Sequence, residues 1–160
     1  MKLPLFPSTV VGSWPRPAIV MKGLRAKREG RMSQEEFDKI ADEAVLNTLC
    51  RQVDAGIDIV SDGEHRRDNF ISFVAEKLKN VNMLTVAELL DYVEDKASFE
   101  EILGTLDVPA YSLSNPAAVG KISRRKPIAL NEYQFLRSHT DRAIKVALSI
   151  NPFHVGTAAF

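Results

Sequence analysis

The feature that most constrains the fold is a repeated alternation of strand patterns with helix patterns along the chain. Four short apolar segments are typical of buried strands, and helical periodicity occupies much of the sequence between them. The predicted strands are residues 8–13, 57–60, 117–122 and 143–148. Such alternation is typical of βα units whose strands run parallel in one sheet, so the sequence predicts an α/β fold.

The clearest helix begins at a capping box formed by Ser33 and Glu36. Apolar residues at helical spacing follow as far as Val53, and Gly56 stands where a left-handed residue often ends a helix. The segment between the first strand and this helix is interpreted as a Pro-rich, basic connection. Further helices are predicted over 69–78, 86–94, 99–104 and 127–139, the middle two as a helical hairpin with its own capping boxes.

Composition excludes several classes of protein. A length of 160 residues predicts one domain, and a net charge of zero gives no sign of nucleic acid or an anionic membrane as a partner. Cys50 is the single cysteine, so the chain can form neither an internal disulfide nor a metal site with two Cys ligands. No apolar run approaches the about 18 residues of a membrane span, and no signal peptide is recognised. We therefore expect a cytoplasmic protein.

Glycine and polar residues follow the predicted strands at their carboxyl ends, where parallel α/β folds bind ligands. At the first such end, Gly12 and Ser13 could hydrogen-bond a carboxylate through backbone N–H groups, since Gly12 has no Cβ to block approach. The alternative is a tight turn into Trp14 and Pro15. At the third end, Lys121 could meet an anionic ligand.

The second strand end carries Glu64, whose carboxylate could bind an ammonium group or act as an acid or base. The alternative is that it pairs with Arg66 or Arg67, or caps the next helix. Backbone donors at one strand end and a carboxylate at the next would orient an amino acid by its two charged ends. The three histidines of the chain show no spacing typical of metal ligands.

Three segments carry a resemblance to a known family: LPLFPSTVVGSWPRP (3–17), AGIDIVSDGEHRRDNFISFVAEKL (55–78) and NPAAVGKISRRKPIALNEYQFLRSHTDRAIKVAL (115–148). They resemble the cobalamin-independent methionine synthase family, and more closely its short members, which lack the additional N-terminal barrel. The most specific motifs are VGSWPRP and DGE followed by RRD. The resemblance extends from about Leu3 to Leu148.

This resemblance implies a (β/α)8 barrel that transfers a methyl group from a methylated folate to the sulfur of homocysteine. A zinc ion activates the sulfur, because a free thiol is mostly protonated at neutral pH. The resemblance assigns homocysteine contacts to four residues at two strand ends: Val11, Gly12, Ser13 and Glu64. It places a folate contact near Lys121 and Ile122.

The chain also departs from the family pattern. A barrel of eight units takes about 250 residues, whereas four strands are predicted here. The family's zinc ligands, one His, one Glu and two Cys, and its general acid belong to the second half of the barrel, so neither metal ligands nor catalytic residues are assigned. Residues 1–148 are interpreted as the N-terminal half of a TIM barrel, about four βα units with a small helical hairpin insertion, and 149–160 as a tail outside the family pattern.

The resemblance implies a homocysteine S-methyltransferase of methionine biosynthesis, of which this chain is an inactive or incomplete half. An interrupted or frame-shifted reading frame, or a fragment, would explain the departure after Leu148. Two alternatives stay open: a non-catalytic half-barrel that binds an amino acid or assembles with another chain, and a related methyltransferase with another methyl donor. Because four parallel strands cannot close a barrel, the outer strands are expected to form open edges through which copies self-associate.

Overall fold

A computed structural model describes residues 3–68, 72–85 and 114–148, together with residues 88, 95–97 and 101. They belong to two compact units, one made of Met1–Asp68 with Ala129–Leu148 and one within Asn69–Ile128. The described elements are, in chain order, α1 (Ala18–Arg28), α2 (Gln34–Asp54), β1 (Ile59–Val60), α3 (Ser72–Ala75), β2 (Leu78–Thr85), β3 (Ser114–Arg124), α4 (Leu130–His139) and β4 (Ala143–Ile144).

Three parallel segments lie side by side in the first unit. β1 pairs in parallel with β4, with Ile59 opposite Ala143. On the other side of β1, Thr9 forms a parallel bridge with Ile59, whose N–H donates to the Ser8 carbonyl at 3.0 Å. This arrangement confirms the α/β class and parallel pairing of three predicted strand positions, although each is shorter than predicted and the first is reduced to a single bridge.

The segment predicted as a Pro-rich, basic connection forms α1, so that prediction is wrong. Pro17 precedes the helix with φ −56°, a value that suits the start of a helix. The basic residues Arg25, Lys27 and Arg28 lie in its last turn, where cations interact favourably with the negative end of the helix dipole. The prolines therefore start a helix here rather than prevent one.

α2 begins and ends as the sequence predicts. The Glu36 N–H donates to the Ser33 hydroxyl at 3.1 Å, and the Ser33 N–H donates to the Glu36 carboxylate at 2.8 Å. At the other end, Gly56 has φ +75°, and the Ile57 N–H donates to the Gln52 carbonyl at 3.0 Å. Both helix ends therefore satisfy backbone groups that the helix itself leaves unpaired.

The apolar face of α2 contributes to two buried clusters of the first unit. One joins α2 to α1 and contains Val20, Leu24, Phe37, Ala41 and Ala44. The other joins α2 to β1 and α4 and contains Val45, Leu49, Val60 and Leu136. Burial of these side chains packs β1 against α2 and α4. The loop that follows β1 therefore begins at a strand whose position is fixed by the core.

In the second unit, β2 and β3 form an antiparallel pair, with Leu78 opposite Arg124 and Thr85 opposite Ser114. The predicted strand at 117–122 is therefore confirmed as a strand, but the prediction that it joins a parallel sheet is wrong. β2 was not predicted, because a register shift between Lys79 and Val81 interrupts its alternating pattern. Of the described part of the helix predicted over 69–78, residues 72–75 form α3, whereas Leu78 already belongs to β2, so the predicted end of that helix is wrong.

Other predictions are tested only in part. The Glu88 N–H donates to the Thr85 hydroxyl at 3.2 Å, which confirms the capping contact at the start of the predicted helical hairpin. The rest of that hairpin, over 86–94 and 99–104, and the tail predicted over 149–160 lie largely or wholly outside the described residues. α4 begins at Leu130 instead of Pro127. No described helix is long and apolar enough to span a membrane.

Candidate functional site

The loops that follow the first two parallel segments lie against each other. The Trp14 N–H donates to the Gly63 carbonyl at 3.0 Å, and the Arg16 guanidinium donates to the Glu64 carbonyl at 3.4 Å. Both bonds form at the carboxyl ends of neighbouring parallel segments. The structure therefore brings together the two strand ends that the sequence predicts to bind the charged ends of an amino acid.

The first loop offers backbone donors. Gly12 has φ +82°, in the left-handed region that favours glycine, and a Cβ added there would meet no atom within 4 Å. Val11 beside it is 91% exposed. Among the described residues, no group accepts a hydrogen bond from the N–H of Gly12 or Ser13. These two donors can therefore receive a carboxylate without breaking an existing bond.

The second loop is a buried turn in a rare backbone conformation. Gly63 and Glu64 have φ of +68° and +58°, and the Glu64 N–H donates to the Asp62 carboxylate at 2.9 Å. A left-handed residue with a side chain costs about 1–2 kcal/mol, and such strain often occurs at functional sites. Glu64 is only 8% exposed. The turn therefore holds a largely buried carboxylate in the loop that is hydrogen-bonded to the segment after Gly12 and Ser13.

One buried guanidinium lies between two carboxylates at this site. Arg67, 1% exposed, donates to the Glu132 carboxylate at 2.7 Å and to the Ala147 carbonyl at 2.7 Å. Its Nη1 lies 3.8 Å from Glu64 Oε2, close enough for an ion pair but too far for a hydrogen bond. The alternative pairing of Glu64 with Arg67 is thus formed only loosely, and Arg66 pairs with Asp42 instead.

His65 belongs to the same turn and is 1% exposed. Its Nε2 lies 2.7 Å from the Thr48 hydroxyl, whereas its Nδ1 has no hydrogen-bond partner among the described residues. Burial holds the pKa of His65 below its ordinary value, helped by Arg16 and Arg66 and opposed by Asp62. A Cβ added at Gly63 would lie 3.0 Å from this ring, so glycine is required here by packing as well as by φ.

The lowered pKa of His65 predicts how stability varies with pH. As pH falls through about 6.5, the unfolded chain takes up a proton that the folded chain resists, so the free energy of unfolding should fall. In His65→Gln this part of the decline should disappear, because no imidazole is buried there. Denaturant unfolding between about pH 7.5 and about pH 5.5 measures the effect. The same substitution at the exposed His139 provides the control. If the free energy of unfolding of His65→Gln changed with pH as steeply as that of the original chain, the prediction would be wrong.

Two charged residues at the site were not identified from the sequence. Glu132 lies in the first turn of α4, and Lys145, just after β4, donates from Nζ to the Val10 carbonyl. For Lys145 a signal existed, since a single lysine interrupts the apolar run 143–148. For Glu132 there was none, because a Glu near the start of a helix is common on exposed surfaces.

The predicted folate contacts lie in the other unit. Lys121 and Ile122 are exposed residues of β3, and the Lys121 carbonyl accepts a hydrogen bond from the Asn80 side chain at 2.7 Å. Nothing in the local geometry of β3 tests a contact to folate, which stays a prediction.

The described residues do not fit the zinc site that the family implies. Among them, no three His, Cys, Asp or Glu side chains lie close enough to hold a metal ion. Cys50, which could supply a thiolate, is exposed on α2.

The fold and site define an α/β protein with a polar edge at the carboxyl ends of parallel strands, the place where α/β folds bind ligands. Residues 6–149 match the family model described as the catalytic domain of cobalamin-independent synthases. The chain therefore belongs to the cobalamin-independent methionine synthase family, as the resemblance of its motifs indicated.

Individual relatives agree with this assignment. The chain is 32% identical over 150 residues to a methionine synthase of Saccharolobus solfataricus, which covers 92% of this chain and 40% of the relative. It is 30% identical over 137 residues to that of Sulfurisphaera tokodaii, covering 86% of this chain and 35% of the relative. A solved B12-independent methionine synthase from Shewanella sp. W3-18-1, in complex with selenomethionine, matches with a TM-score of 0.57 and 26% identity, over 89% of this chain and 37% of that one. The chain thus spans at most 40% of the length of these relatives.

Proposed function

We propose that this chain provides the amino-acid-binding part of a homocysteine S-methyltransferase in methionine biosynthesis. The observation that carries the proposal is the hydrogen bond from Trp14 to Gly63, which joins the two loops at the strand ends. It holds the open N–H groups of Gly12 and Ser13 beside the turn that carries Glu64. The family membership supports homocysteine as the amino acid.

The proposed binding mode follows from the charges of a zwitterionic amino acid. Its carboxylate accepts hydrogen bonds from the N–H groups of Gly12 and Ser13, beside the exposed Val11. Its ammonium group donates to the Glu64 carboxylate, and hydrogen bonds of this charge-assisted kind are stronger than neutral ones. The two ends fix the orientation of the ligand, so its sulfur-bearing side chain points in one direction from the Cα.

The incomplete pairing of the Glu64 carboxylate favours a ligand with an ammonium group. Glu64 and Glu132 carry two negative charges, whereas Arg67 between them carries one positive charge. Among the described residues, no group hydrogen-bonds the Glu64 carboxylate, so Arg67 compensates it only from 3.8 Å. A ligand ammonium would supply a hydrogen bond that the Glu64 carboxylate does not receive from the described residues.

Calorimetric titration of the purified chain with L-homocysteine tests the proposal. The matched ligand is 4-mercaptobutanoate, which is homocysteine without its amino group. We expect L-homocysteine to bind at least about tenfold more tightly, because a hydrogen bond to a charged group contributes about 1.5–3 kcal/mol. Equal affinity for the two ligands, or no binding of either, would refute the proposed function.

We also propose that the methyl donor is a methylated folate, with contacts near Lys121 and Ile122, and that the reaction occurs in the cytoplasm. Zinc supplies activation of the thiol in this family, and the described residues hold no site for it. These 160 residues alone are therefore proposed to bind homocysteine without completing methyl transfer. The non-catalytic alternative shares the amino-acid site, so methionine formation by a barrel completed with a relative's second half would distinguish the two.

Self-association is proposed on the geometry of the parallel segments. Thr9 and β4 lie on the two outer sides of β1, and no further described segment of the first unit pairs with either of them. Such edges expose unpaired N–H and C=O groups that recruit other chains. We expect the sedimentation coefficient of the purified chain to rise with concentration. A single monomeric species at all concentrations would contradict this expectation.

A further inference from the structure

Glu132 is a buried carboxylate that the proposed binding mode does not use. It is 8% exposed, lies in the first turn of α4, and accepts the hydrogen bond from Arg67 Nη2 at 2.7 Å. Glu64, the carboxylate proposed to bind the ligand, lies 3.8 Å from Nη1 of the same guanidinium. Two carboxylates therefore compete for one cation, and Glu132 has the closer contact.

We infer that Glu132 is a positioning residue that keeps Glu64 available to an amine ligand by holding Arg67 away from it. The inference rests on the proposed function for the identity of the ligand. A charge-assisted bond at 2.7 Å, together with the Ala147 carbonyl, fixes both terminal nitrogens of the guanidinium. Arg67 thus stabilises the negative charge of Glu64 from a distance without occupying the hydrogen-bonding position that the ammonium needs.

Arg67 prefers Glu132 to Glu64 as its partner, and removal of the charge on Glu132 reverses this preference. Arg67 would then retain the neutral Ala147 carbonyl and a neutral amide, and Glu64 would be the remaining carboxylate of the described residues within ion-pair distance of Arg67. A movement of about 1 Å converts the 3.8 Å contact into a hydrogen bond. Glu64 would be neutralised by Arg67, and an incoming ammonium would have to displace a buried guanidinium.

The experiment compares Glu132→Gln with the double variant Glu132→Gln/Arg67→Met, and with Glu43→Gln as an exposed control on α2. We expect Glu132→Gln to weaken L-homocysteine binding by tenfold or more and to leave binding of 4-mercaptobutanoate within about twofold. Adding Arg67→Met should restore the affinity for L-homocysteine to within about threefold of the original chain, because Glu64 again has no competing cation. Glu43→Gln should change neither affinity.

A merely structural role for Glu132 would give a different pattern. Loss of the fold would weaken the binding of both ligands. Adding Arg67→Met would then not restore the binding of L-homocysteine. Circular dichroism verifies the fold of each variant, and Glu132→Met, which also removes the charge, replaces Glu132→Gln if the latter does not fold. An unchanged affinity in a folded variant at position 132, or no recovery in the double variant, would overturn the inference.

A second measurement needs no ligand. In a crystal structure of Glu132→Gln, Arg67 should lie within about 3.2 Å of a Glu64 carboxylate oxygen, instead of 3.8 Å. If the original chain binds no amino acid, the proposed function fails, yet this distance still tests the inference. A guanidinium that keeps its separation from Glu64 after the charge of Glu132 is removed would overturn it.

Discussion

Replacing Arg67 by methionine is expected to lower the free energy of unfolding by about 3–5 kcal/mol, the range for a buried ion pair that loses one partner. Methionine replaces the aliphatic part of the side chain but not the guanidinium, so the cost arises mainly from the lost charge and its hydrogen bonds. Glu64 and Glu132 would remain largely buried without the guanidinium that lies between them. Denaturant unfolding followed by circular dichroism at neutral pH measures the loss.

The same substitution at Arg28 provides the control. Its guanidinium lies 3.8 Å from the Asp68 carboxylate, the distance that separates Arg67 from Glu64, but its side chain is 69% exposed. An exposed ion pair contributes about 0–1 kcal/mol, so Arg28→Met should change stability very little. If Arg67→Met cost no more than Arg28→Met, burial of the charge cluster would not matter and the electrostatic account of the site would be wrong.

The fold could be predicted where a local signal and the tertiary structure agree. Ser33 with Glu36, and Gly56 after the helical pattern, define α2 because both ends depend on interactions within a few residues. The Pro-rich, basic composition before α2 predicts a connection in place of α1, although proline at the start of a helix is compatible with it. β2 was missed because its pairing with β3 is non-local and its register shift removes the alternation of apolar residues.

Only the part of the site that lies at the ends of predicted strands could be predicted from the sequence. Gly12 and Glu64 were identified because parallel strands bring their carboxyl ends to one edge, and the bond between Trp14 and Gly63 joins those ends here. Glu132 could not be predicted, since it reaches the site from a helix 65 residues away in sequence from Arg67. The sequence therefore indicates the carboxylate that is proposed to bind the ligand, but not the second carboxylate that holds Arg67.

Replacing Glu64 by glutamine is expected to weaken L-homocysteine binding by about ten- to a hundredfold. The two side chains have nearly the same shape, and glutamine can adopt the same backbone as Glu64, so the variant changes charge and little else. The lost charge-assisted hydrogen bond to the ligand ammonium corresponds to about 1.5–3 kcal/mol. Calorimetric titration with L-homocysteine measures the change, with Glu43→Gln as the matched exposed substitution on α2.

The deaminated ligand makes this prediction specific to one pair of groups. 4-Mercaptobutanoate has no ammonium for Glu64 to bind, so its affinity should fall far less in Glu64→Gln than the affinity of L-homocysteine. Its affinity should even rise if the substitution relieves repulsion between the Glu64 carboxylate and the carboxylate of the ligand. The coupling between residue and ligand group is the difference between the two effects, measured as in a double-mutant cycle. A coupling near zero would mean that Glu64 does not touch the amino group. The buried carboxylate would then serve the structure of the turn, where Gly63 and Glu64 share a left-handed backbone, and the ligand ammonium would have to be bound by another group.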